Sequence, residues 1–156
     1  MECRVKLGND TDCVAAALHI IEESFMDTRD LADKGLKLRK ELFGAETVEQ
    51  RMNAFGAFGE PLQHIINAYA YGDIWSRPGL SLGVKSLAMI AMMAAANRPA
   101  ELRVHLKGAL KNGCSPEEIR EILLLVALYC GIPAANEAHR AAIEIFKEEK
   151  RIASSE

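Results

Sequence analysis

The chain has 156 residues, 49% of them hydrophobic and 26% charged, which is the composition of an ordinary folded domain and excludes a disordered chain. Its 19 Lys and Arg against 22 Asp and Glu give a net charge of -3, which excludes the basic stripe expected of a nucleic-acid binder. No apolar run reaches the ~18–20 residues of a bilayer span, because Lys85 and Arg98 bracket the longest candidate.

In chain order, the first 25 residues mix charges and lack an apolar core followed by a small-residue cleavage site. No signal peptide is expected, and the location expected is cytoplasmic. Apolar residues at helical spacing predict helices over 12–25 (Val14, Leu18, Ile21, Phe25) and 30–43 (Leu31, Leu38, Leu42), the second stopped by Gly44. Thr47 with Gln50 suggests a capping box opening a helix through Phe58, and Pro61 suits the first turn of the next, PLQHIINAYAYGDIW. A turn at 76–79 separates this from LGVKSLAMIAMMAAA, capped by Ser81 and apolar on every side, hence expected as a central buried helix. Met89, Met92 and Met93 within it are expected to fill gaps in packing.

Pro99 then opens a helix that Gly113 ends. Ser115-Pro-Glu-Glu supplies an N-cap, a proline at the first helical position and a capping-box Glu118. A break at 131–133 precedes the last helix. No segment alternates as a half-buried strand, so the class expected is all-α, with six to eight helices. The domain division expected is a helical extension over 1–28, a compact domain over 29–150 and a disordered tail over 151–156.

Cys3, Cys13, Cys114 and Cys130 form no CxxC pair and have no zinc-type histidine spacing, so reduced thiols are expected, Cys130 in a buried helix end. The chemistry is concentrated in PAELRVHLKGALKNG. With about 100° per residue, Glu101, His105, Gly108, Ala109 and Asn112 share one stripe. Leu102, Leu106 and Leu110 form the core flank, and Arg103 and Lys107 the solvated side. Gly108 and Ala109 leave room over the stripe for a close helix or a small ligand. A Glu–His pair one turn apart serves either a helix contact or a general acid or base whose tautomer the carboxylate fixes, and spacing alone leaves both open.

The stretch YAYGDIWSRPGLSL, followed by KSLAMIAMMAAANRPAELRVHLKGALKNGCSPEEIREILLLVALYCGIPAANEAHRAA, resembles the carboxymuconolactone decarboxylase family within the all-α alkylhydroperoxidase D-like superfamily, over about residues 30–146. In the peroxidase branch a CxxC pair precedes the histidine. Here Arg98 and Glu101 occupy those positions ahead of His105, so the resemblance implies no thiol peroxidase chemistry. It implies instead removal of carbon dioxide from 4-carboxymuconolactone to give 3-oxoadipate enol-lactone in aromatic catabolism.

That reaction needs no metal or organic cofactor, because the electrons left behind delocalise through the ring alkene into the lactone carbonyl. The protein has to hold two carboxylates, place a donor at the developing oxyanion and deliver a proton. The expected catalytic residues are His105, as proton donor or oxyanion partner, and Glu101, as the group orienting it. Arg77, Arg98 and Lys85 are candidate carboxylate-binding cations, although the two arginines equally suit helix C-termini. Trp75 and Tyr129 are candidate aromatic walls. The resemblance also implies a homo-oligomer, trimer or hexamer. A related lactone-processing or isomerising activity, or a non-catalytic small-acid-binding oligomer, stays open.

Overall fold

The computed structural model of the chain describes residues 28–153, with side chains as far as Lys150. The helix expected over 12–25, Cys3, Cys13 and the extension to which they belong lie outside the described residues. Among the described residues there are seven α-helices, one π-helical segment and no strand, so the chain is all-α as expected. None of these helices is long and apolar enough to cross a membrane.

Helix α1 (Thr28–Phe43) packs mainly on the π-helical segment (Ile66–Trp75), and the contact is backbone on backbone. A Cβ on Gly35 would lie 1.8 Å from the Asn67 carbonyl oxygen, and one on Gly72 would lie 2.1 Å from that of Leu31. Only glycine permits this approach. Helices α2 (Ala45–Asn53) and α3 (Gly56–Ile65) connect these two elements.

Three expectations fail in this stretch. Gly44, in the left-handed region at φ 88°, already opens α2 at Ala45, so Thr47 sits inside the first turn and Gln50 donates to Glu46 Oε1 at 3.3 Å. There is no capping box, and the helix ends at Asn53, short of Phe58. Pro61 lies inside α3 because that helix begins five residues earlier, at Gly56 (φ 51°). The single helix expected over 61–75 also changes character at Ile66, where the wider turn of a π-helix takes over.

The C-terminal half follows its punctuation closely. Helix α4 (Leu82–Ala95) is capped by Ser81, whose Oγ accepts from Val84 N at 3.2 Å. Helix α5 (Pro99–Lys111) starts at its proline, and Gly113 beyond it takes φ 86°. Helix α6 (Pro116–Cys130) carries both arms of the Ser115/Glu118 capping box, and α7 (Ile132–Ala153) follows Gly131. Ile90, Leu102, Leu106, Ile119, Leu123 and Ile145 bring α4 to α7 together in one core.

Helix α4 is not buried all round: Ser86, Ile90 and Ala94 face the core while Val84 and Met92 are about half exposed. Met92 therefore lies outside the packing expected of it. Cys114 is buried, donating to Gly83 O at 3.5 Å, whereas Cys130 is exposed, because α6 turns its last residues outward; neither is in a disulfide.

Candidate active site

Four rings from three elements close on one another around His105. Phe43, the last residue of α1, meets His105 edge to face at 5.5 Å between centroids, and Trp75, the last residue of the π segment, stacks on it at 6.2 Å. Tyr71 completes the circuit at 5.8 Å from both Phe43 and Trp75. Tyr71 and Trp75 are four residues apart, a spacing that the wide turn of a π-helix keeps on one face. Gly108, one turn after His105, makes room for Phe43: a Cβ there would lie 2.5 Å from Phe43 Cε1. The space read over the helix stripe is thus filled by an aromatic ring.

His105 Nδ1 is sealed from solvent and is the one buried side-chain nitrogen or oxygen without a hydrogen-bond partner among the described residues. Burial pushes the imidazole pKa down to about 4. The Arg51 charge pushes the same way, and the Glu101 carboxylate opposes both. His105 is consequently neutral at pH 7.

Arg39 lies behind the rings, 4% exposed, with its Cζ 5.5 Å from the Tyr71 ring centre. Its Nη1 donates to Gln63 Oε1 and Asn67 Oδ1, both at 2.9 Å. Burial lowers the Arg39 pKa and raises that of Tyr71. Arg39 was not among the sequence candidates, although the signal was present: with Gly35 and Leu42 it shares the buried stripe of α1. Phe43, Arg51 and Tyr71 were missed too, because they lie on elements far in sequence from the helix that carries His105.

The sequence candidates divide accordingly. Trp75 is 8% exposed and in the cluster. Glu101 is exposed and makes no hydrogen bond to His105, which places its influence in its charge. Arg77 is held by Asp73, with Nε to Oδ1 at 3.0 Å and Nη2 to Oδ2 at 3.2 Å. Lys85 Nζ donates to the backbone oxygens of Trp75 at 2.7 Å and Arg77 at 2.5 Å, so the ammonium caps the end of the π segment. Arg98 is exposed at the start of α5 beside a cavity of about 180 Å³ that it shares with Arg103 and Glu144. Tyr129 is 79% exposed and outside the aromatic circuit, on an outward face with Leu124, Leu125, Leu128 and Ile132. The solvated side assigned to Arg103 and Lys107 engages α7, where Arg103 pairs with Glu144 and Glu148, and Lys107 with Glu148 at 2.9 Å.

Two cavities flank Trp75, and Arg77, Leu80 and Lys85 border both. One of about 460 Å³ is walled by Ile74, Trp75, Leu80, Ala88, Met89 and Met92; the other, about 480 Å³, carries Lys34, Lys37, Arg77 and Lys85 with Glu41. No group of three or more His, Cys, Asp or Glu suited to a metal ion occurs among the described residues.

Comparison with known proteins adds two kinds of finding. The model of the carboxymuconolactone decarboxylase family matches residues 60–144. A 4-carboxymuconolactone decarboxylase of Acinetobacter baylyi is 38% identical over 115 residues, covering 74% of this chain and 86% of that protein. A nitrosuccinic acid decarboxylase of Metarhizium robertsii is 39% identical over 110 residues, covering 70% of this chain and 77% of that protein.

Proposed function

We propose, since the chain belongs to the carboxymuconolactone decarboxylase family and is a carboxy-lyase, that it removes carbon dioxide from 4-carboxymuconolactone, or from an acid built like it, in the breakdown of aromatic compounds. The acids in the relatives' names have different skeletons but a common logic. Each carries two carboxylates, and in each an electron sink is conjugate with the carbon that loses carbon dioxide: the unsaturated lactone in one, the nitro group in the other. For the lactone, breaking the carbon–carboxylate bond sends its electron pair through the ring alkene into the carbonyl, and a solvent proton then adds to the carbon beside that carbonyl.

The observation that carries this reading is the neutral imidazole of His105, set among aromatic rings with its Nδ1 sealed from solvent. A neutral imidazole N–H is a fitting donor to an oxyanion, because it stabilises the charge without surrendering its proton. Of the two roles the sequence leaves open, oxyanion partner is therefore the one proposed. Glu101 acts through its charge, favouring the protonated imidazole against burial. Trp75 and Phe43 cover part of the imidazole ring. The chain is proposed as a cytoplasmic homo-oligomer, trimer or hexamer, and the exposed apolar residues at the end of α6 support the association.

The test is release of carbon dioxide and enol-lactone from freshly prepared 4-carboxymuconolactone by the native chain and by His105→Ala. An oxyanion donor in a dry site contributes about 3–4 kcal/mol, so turnover should fall by at least about 100-fold while the helical spectrum persists. Unchanged turnover removes His105 from the chemistry.

A further inference from the structure

Arg39 holds two amides by the same end. Its Nη1 donates to Gln63 Oε1 and Asn67 Oδ1, and because a guanidinium only donates, both oxygens are committed to it and both NH2 groups are left for other partners. Gln63, on α3, and Asn67, in the π segment, are 6% and 5% exposed. Neither NH2 group makes a hydrogen bond among the described residues, yet neither is sealed, since His105 Nδ1 alone is both buried and without a partner. The space that both residues line is a cavity of about 430 Å³, which is the size of a small-molecule site. Buried donors without an acceptor mark a place for one that the chain does not supply.

The rest of the cavity adds two further characters. Asp33 and Glu60 also line it, both are exposed, and neither is in an ion pair among the described residues. Glu60, Gln63 and Asn67 recur at three and four residues, so the acid and the two amides follow one face of the chain. Leu36, Met52 and Ala57 supply apolar wall. No residue of this cavity belongs to either cavity beside Trp75.

We infer that this cavity binds an α-amino acid with an apolar side chain, its carboxylate on the Gln63 and Asn67 NH2 groups, its ammonium at Asp33 and Glu60 and its side chain against Leu36 and Met52. An amide whose oxygen accepts from a guanidinium donates more strongly through its nitrogen. The Arg39 charge, which meets no carboxylate among the described residues, favours an anion beyond those amides. A dicarboxylate would set its second charge against Asp33 and Glu60, and a simple amine would leave the amide donors without an acceptor. A zwitterion answers both. The site stands independently of the decarboxylase reading.

Isothermal titration of the native chain with L-leucine and L-valine is the test, beside 4-methylpentanoate, which is leucine without its ammonium, and 3-methylbutylamine, which is leucine without its carboxylate. Leucine should bind saturably, and each truncated analogue at least tenfold more weakly. Gln63→Glu keeps an oxygen for Arg39 and replaces the NH2 donor by a second oxygen, so it should fold, as thermal melting checks, and weaken leucine binding at least tenfold. Asp33→Asn, at an exposed position that carries no fold contact of this kind, should weaken leucine binding without weakening that of 4-methylpentanoate. Arg120→Gln, at an exposed arginine paired with Glu121, should bind as the native chain does. No saturable binding of either amino acid, equal binding by the native and Gln63→Glu chains, or 4-methylpentanoate binding as well as leucine overturns the assignment.

Discussion

Acidification should unfold this protein through His105. Its pKa is about 4 in the folded chain, against 6.5 for an ordinary imidazole. Between those values the unfolded chain takes up a proton that the folded chain refuses, so stability is full above about pH 6.5 and is lost as the pH falls towards 4. Each pH unit in that window costs about 1.4 kcal/mol, so moving from pH 7.5 to 5.0 crosses roughly 1.5 units of it and removes about 2 kcal/mol. The groups that set the value are the burying rings and Arg51, with Glu101 opposed. The assay is urea unfolding at both pH values for the native chain and for His105→Leu. The variant lacks the titration but keeps every other histidine, so it should lose about 2 kcal/mol less than the native chain on acidification. Equal losses in the two chains would refute the reasoning.

Further outcomes follow from the close approaches. Gly72→Ala, which in an ordinary helix would gain up to about 1 kcal/mol, should here cost about 3 kcal/mol or more by thermal melting, because the new Cβ meets the Leu31 carbonyl oxygen at 2.1 Å. Gly108→Ala meets the far end of a side chain, so Phe43 should swing off His105 and the imidazole pKa, followed by NMR, should rise from about 4 towards 6.5. Adding Phe43→Leu to Gly108→Ala should recover stability lost to the clash, and a double variant no more stable than the single one would contradict that contact.

The C-terminal half was legible because its signals are local. Ser81, Pro99, Gly113, Ser115 and Gly131 each set a helix end by their own geometry, and each end falls where the residue dictates. The helix wheel likewise puts Leu102 and Leu106 in the core. The N-terminal half was less legible because its decisive contacts are long-range. Nothing near Gly72 announces that Leu31 will touch it, and although Tyr71 and Trp75 at i and i+4 share a face on any helical wheel, nothing local shows that Phe43 and His105 will close on that face. The same cause misdirected the cations. Arg77 and Lys85 look available in sequence, but Asp73 and two carbonyl oxygens take them up, while Arg39 looks like an ordinary surface charge and is buried. His105 stood out in sequence by its spacing from Glu101, whereas the rings that surround it come from other elements.

Lys85 gives the site a lever. Its ammonium holds the carbonyl oxygens of Trp75 and Arg77, so two hydrogen bonds tie the end of the π segment to α4. The outer side of α4 carries Val84 and Met92 in the open. Met92 also walls the cavity beside the Trp75 indole, so whatever seats against the outer side of α4 meets the stacking partner of His105 by two routes, across that cavity and through the Lys85 ammonium.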